Sequence, residues 1–140
     1  RRQRQMCIRD RVRAVLERAH QGHRIRLVLT GHHHLDYLRL VRGIPYLQVN
    51  SFSYHWTDRK TSGGRFSPEV EARYPYLKQV LVYDRPLFGL IELTPSGGRV
   101  IGRSACFVGG YGPREAGVPE VIEGHPVGAS VSNQGWVGDR

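Results

Sequence analysis

The sequence predicts a strand-dominated α/β fold. Three observations carry that reading: one stretch of helical periodicity near the start, six short runs of β-forming residues, and turn signals between those runs. Val12, Val15, Leu16 and Ala19 recur at three-and-four spacing and mark one face of an amphipathic helix, which Gly22 stops. Residues 24–30 then read as a strand whose near-continuous apolarity, Ile25, Leu27, Val28 and Leu29, predicts burial on both faces. Residues 37–42 and 44–50 form two more strands joined tightly at Gly43. Residues 51–75 have no sustained period and are predicted to be a long loop with one helical turn, a length usual for functional or disordered segments. Strand character returns at 80–83, 88–93 and 99–108, with turns at Arg85-Pro86 and across 94–98. Residues 109–140 hold eight glycines and three prolines, which predicts an irregular, loosely packed tail.

Composition limits the chain to one domain at 140 residues. Five arginines against one aspartate in residues 1–11 supply four of the nine net positive charges. Within that segment MCIRDR translates a transposase end sequence used in preparing sequencing libraries, so residues 1–11 are expected to be a sequencing or cloning artefact. Met6, the only methionine, goes with them, and the rest is expected to be the C-terminal part of a longer protein. The five remaining positive charges are a modest excess that argues against a nucleic-acid partner. No apolar run approaches the roughly 20 residues that cross a bilayer. With Cys7 set aside, Cys106 stands alone, and neither a disulfide framework nor a thiolate metal site is expected. A signal peptide would lie upstream, so the sequence assigns no compartment.

The chemistry concentrates in LVLTGHHH, residues 27–34. A strand ending in clustered imidazoles is a common way to supply a hydrolytic metal site. In extended backbone His32 and His34 project to one side and His33 to the other. Their Cβ atoms would stand about 6–7 Å apart at a rise of about 3.3 Å per residue. That suits two cations about 3.5–4 Å apart better than one. Gly31 is expected to let the chain turn sharply. His33 is then a spacer or a weak candidate for substrate contact. Asn50 and His55 are weak substrate-binding candidates, because the hairpin returns the chain toward the same sheet end. Asp36 is a candidate to orient a ligand imidazole or simply to start the next strand. His20 and His23 suit a helix C-terminus, and His125, between Gly124 and Pro126, is expected to be solvated. No Gly-x-Ser-x-Gly elbow and no Walker loop is present.

Helix, strand, Gly31-His32-His33-His34 and the following RGIPYLQVNSFSY together resemble the C-terminal portion of a calcineurin-like metallophosphoesterase over residues 12–108. That family places a Gly-His-x-His signature after a core strand, followed by a Gly-Ile-x-Tyr turn and a strand ending near Asn-Ser, as Gly43, Ile44, Tyr46, Asn50 and Ser51 stand here. The resemblance implies the C-terminal half of a layered α/β/β/α sandwich. It implies a phosphomonoester or phosphodiester as the small-molecule substrate and two divalent or transition metal ions, Mn, Fe or Zn, as cofactors. By the same resemblance His34 would ligate the first metal and His32 the second, with the other ligands and all catalytic groups in a missing N-terminal half. This fragment alone is therefore expected to be inactive, with exposed strand edges and poor solubility. Imidazoles must be deprotonated to bind a cation, so affinity should fall in acid. The competing reading is an accessory β-rich module for a polyanion or glycan, with Arg39, Arg42, Tyr54, Trp56, Arg59 and Lys60 as its contact patch.

Overall fold

The computed structural model describes residues 2–22, 25–57 and 65–138. In class it is mixed α/β, dominated by strands in small sheets with few helices.

The N-terminal helix α1 spans Arg2–Gln21 and so includes most of the segment set apart as foreign. Its apolar positions do form a helix, yet they do not form a buried face: Val12 and Val15 are each 55% exposed. Contact with the rest of the chain includes an ion pair, in which Glu17 receives Arg13 from the preceding turn at 2.8 Å and Arg42 from the next hairpin at 2.6 Å. His20 donates from Nδ1 to the Ile25 carbonyl at 2.9 Å, closing the helix end. His23 lies outside the described residues.

Strand β1, Val28–Thr30, pairs in parallel with β3, Ile44–Gln48, which pairs antiparallel with β2, Tyr37–Val41. The hairpin predicted around Gly43 is present. Arg42 and Gly43 both have positive φ, 51° and 79°, as a two-residue turn between twisted strands requires. The expectation that β1 is buried on both faces is corrected. With β3 on only one side, β1 is an edge strand, and Leu29 is exposed while Leu27 packs on the core. Central β3, by contrast, buries Ile44 and Leu47 almost completely.

The stretch read as a long loop contains more structure than expected. Strand β4, Tyr54–Trp56, pairs antiparallel with β5, Val80–Val82. Between them lie the short helix α2, Pro68–Arg73, and a 3-10 turn over Pro75–Gln79. Helix α2 starts where its sequence says it should: Ser67 Oγ accepts the Val70 N–H, Pro68 occupies the first turn, and Glu69 and Glu71 face the helix N-terminus. Arg65 ties this segment down by donating to the carbonyls of Leu77 and Val80. Strands β6, Leu90–Thr94, and β7, Gly97–Ile101, form the last predicted hairpin.

The C-terminal segment departs furthest from expectation. It holds a two-residue-per-strand hairpin, β8, Val121–Ile122, with β9, His125–Pro126. It ends in β10, Gln134–Val137, which completes the sheet β10-β7-β6. Ala129, Val131 and Trp136 join Leu47, Tyr83, Leu87 and Val100 in the main core, and Ala116 and Val118 pack on Leu81 in a second cluster. Glycine is part of this packing: a Cβ at Gly98 would stand 2.4 Å from the Trp136 ring. A composition typical of disorder therefore folds because most of its few apolar side chains pack into these two clusters.

Candidate functional site

The histidine loop hangs between two anchors. On one side the end of β1 is fixed to β3: Thr30 Oγ1 donates to Gln48 Oε1 at 2.9 Å, and the Val49 N–H reaches the Thr30 carbonyl at 2.9 Å. On the other side Leu35 is buried, 2% exposed. The four residues between them, 31–34, must therefore bulge from the carboxyl end of a parallel strand pair, the place where open α/β sheets bind ligands.

The conformation of that bulge corrects the sequence reading. Residues 31–34 are not extended, and the left-handed backbone falls on His32, φ 80°, and His34, φ 52°, rather than on Gly31. A Cβ at Gly31 would meet nothing within 4 Å, so this glycine is not needed for space. Histidine visits positive φ more readily than most residues, and such outliers gather at ligand sites. Because strand alternation does not apply, His33 does not face away. All three imidazoles line one cleft of about 490 Å³, together with Leu35, Tyr54, His55, Trp56, Ile122 and Glu123. The rings of His32 and His33 are 6.3 Å apart, and those of His34 and His55 6.2 Å.

His34 is held from two directions. Its Nδ1 accepts the Trp56 N–H at 3.1 Å, and its carbonyl accepts Nδ1–H of His55 at 3.0 Å. The first bond places the proton of the neutral His34 ring on Nε2; the second places the lone pair of the neutral His55 ring on Nε2. His55, 2% exposed, thus shows the arrangement in which a histidine is pre-aimed by donating its other N–H to a backbone carbonyl.

Two sequence candidates serve the fold instead. Asn50 uses its whole amide: Nδ2 donates to the carbonyls of Gly128 and Ser130 at 2.8 and 3.0 Å, and Oδ1 accepts the Ser51 N–H and the Tyr83 hydroxyl. These bonds tie the end of the hairpin to the C-terminal segment. Burial pushes the Tyr83 phenol well above its ordinary range. Asp36 does not orient an imidazole. It accepts the N–H and hydroxyl of Ser132 and the side-chain amide of Gln134, fastening the start of β2 to the C-terminal segment.

The same segment supplies what the sequence reading missed. The β8–β9 turn, Glu123 at φ 51° and Gly124 at φ 81°, carries Glu123 to the cleft. His125 was expected in solvent, yet it stacks on Tyr37 at 3.9 Å and accepts from Arg39 at 2.8 Å, which pins the hairpin to β2. A Glu-Gly pair flanked by Val-Ile and His-Pro is a readable turn signal, lost only because the whole region was read by composition. The proposed polyanion patch divides: Arg39 and Arg42 are engaged with His125 and Glu17, Tyr54 and Trp56 line the cleft, and Arg59 and Lys60 lie outside the described residues.

In kind, imidazole and carboxylate donors suit Zn, Fe or Mn. In arrangement, no group of three His, Cys, Asp or Glu side chains placed to hold a metal occurs among the described residues. No described helix is long and apolar enough to cross a membrane. Comparison with family models, with curated proteins and with solved structures gave no match.

Proposed function

We propose that this chain carries part of the dinuclear metal centre of a phosphoester hydrolase, with β1, β2, β3 and their helix corresponding to the C-terminal half of a layered α/β/β/α sandwich. One observation carries the reading: a Gly-His-His-His loop at the carboxyl end of a strand in parallel pairing sends its imidazoles into a single cleft. His32 and His34 would each hold one of two Mn, Fe or Zn ions. When bound, such a pair of cations offsets charge on the phosphoryl oxygens and acidifies a water between them.

The chain's own residues set the conditions for this. His34 already gives its Nδ1 lone pair to the Trp56 amide, so ligation at His34 exchanges that hydrogen bond for a cation and links occupancy to the β4 backbone. Leu35 and the Thr30–Gln48 contact fix the two ends of the loop. Glu123 places a negative charge at the cleft wall, which favours cations and disfavours a bare phosphate.

Titrating Mn2+ into the isotope-labelled chain tests the metal site. Paramagnetic broadening should centre on residues 32–34 and reach the Trp56 amide, and His32→Ala with His34→Ala should abolish it. The 140-residue chain alone should not turn over nitrophenyl phosphate, whereas a longer protein that contains it should, in a His32- and His34-dependent way. Full hydrolysis by that protein after both alanine changes would sink the reading.

A further inference from the structure

A second cavity lies against the histidine cleft. It has a volume of about 640 Å³ and is formed by β4, β5, α2 and the 3-10 turn. Phe66, Val70, Tyr74, Tyr76 and Leu77 line one part of it, and Arg73 is the one charged side chain lining it among the described residues. Val70, Tyr74 and Tyr76 are exposed, so apolar and aromatic surface here meets solvent. Tyr54 and Trp56 line both cavities. Both residues belong to β4, and His55 between them is buried and lines only the histidine cleft. Trp56 also contacts Tyr76 across the groove, ring centroids 6.3 Å apart.

We infer that this groove is the subsite for the aromatic portion of a ligand whose phosphoryl end occupies the histidine cleft, so that the site takes aryl phosphoesters. The inference rests on the phosphoesterase reading above and narrows it to a substrate class. Three features favour an aryl group over other occupants. The groove is concave and falls within the roughly 300–1,000 Å³ of small-molecule sites. Its lining is rich in rings, which hold another ring by offset or edge contact. It shares Tyr54 and Trp56 with the histidine cleft, which suits a ligand with one apolar and one ionic end.

The test uses the chain with 2-naphthol, methyl phosphate and 2-naphthyl phosphate as probes in the presence of Mn2+, followed by backbone amide shifts. 2-Naphthol alone should move the amides of Trp56, Val70 and Leu77. 2-Naphthyl phosphate should bind at least tenfold more tightly than methyl phosphate. Val70→Glu and Tyr76→Ala alter exposed positions, and each should weaken 2-naphthyl phosphate at least fivefold while leaving methyl phosphate unchanged. If 2-naphthol moves none of these amides, or both phosphates bind equally, the inference is overturned and the histidine reading stands. If 2-naphthol binds but its phosphate binds no more tightly, and His32→Ala with His34→Ala changes nothing, the phosphoester reading fails and takes the aryl ester with it.

Discussion

Helix α1 and the C-terminal segment 109–138 reverse what their sequences suggest. The helix has the clearest periodicity in the chain, and its Val12 and Val15 stand more than half exposed. The C-terminal segment has no period and is rich in glycine and proline, and it buries Ala116, Val118, Val127, Ala129, Val131 and Trp136. Periodicity reports which side chains share a face; it does not report whether a partner exists for that face. Burial requires a complementary surface, and β3, β5 and β7 offer one to the C-terminal segment.

The contrast breaks most easily at Trp136. Trp136→Ala should cost about 3–5 kcal/mol in urea unfolding, the usual range for a large aromatic removed from a core. A loss below about 1 kcal/mol would mean that the segment is only loosely attached. Asn50→Ala comes next, at about 1–3 kcal/mol, because two carbonyls of the C-terminal segment and the Tyr83 hydroxyl lose their partner together. Hydrogen exchange should then rise at Gly128 and Ser130 before it rises in β3.

Tyr83 sharpens the same point through pH. Its phenol is raised in the folded state, so its contribution is fully present below the ordinary tyrosine range of about 10 and is lost as pH rises beyond it, when the unfolded chain ionises first. Unfolding free energy measured against pH should fall above about 10, and Tyr83→Phe should flatten that fall while costing about 1 kcal/mol at neutral pH. The smallest effect belongs to the helix. Val12→Lys and Val15→Lys should each change stability by less than about 0.5 kcal/mol, since both positions are solvated. A larger loss would show that this face is covered in solution.

The hairpin beside the site was legible in the sequence, most of the site's geometry was not, and the physical reasons differ. The β2–β3 hairpin follows from β-formers on either side of a glycine turn, a local signal that needs no tertiary partner. Alternation in extended backbone put His32 and His34 in one pocket and sent His33 away; positive φ at His32 and His34 breaks that alternation, and all three histidines line one cleft. Asn50 and Asp36 looked like site residues because polar side chains near a sheet end often are. Their partners in the C-terminal segment lie 78 to 98 residues further along, and no local pattern reports such contacts.

By itself, then, the sequence determined the strand-rich α/β character, the tight turn at Gly43 and the concentration of imidazole after β1. Those follow from short-range sterics and side-chain chemistry, which act within a few residues. Tertiary structure alone decided that Glu123 joins the histidines, that His125 locks its hairpin onto Tyr37 and Arg39, and that a glycine-rich segment closes the core. Each of these depends on surfaces far apart in the chain meeting in space, where the free energy comes from water excluded between them and not from the conformational preference of either segment.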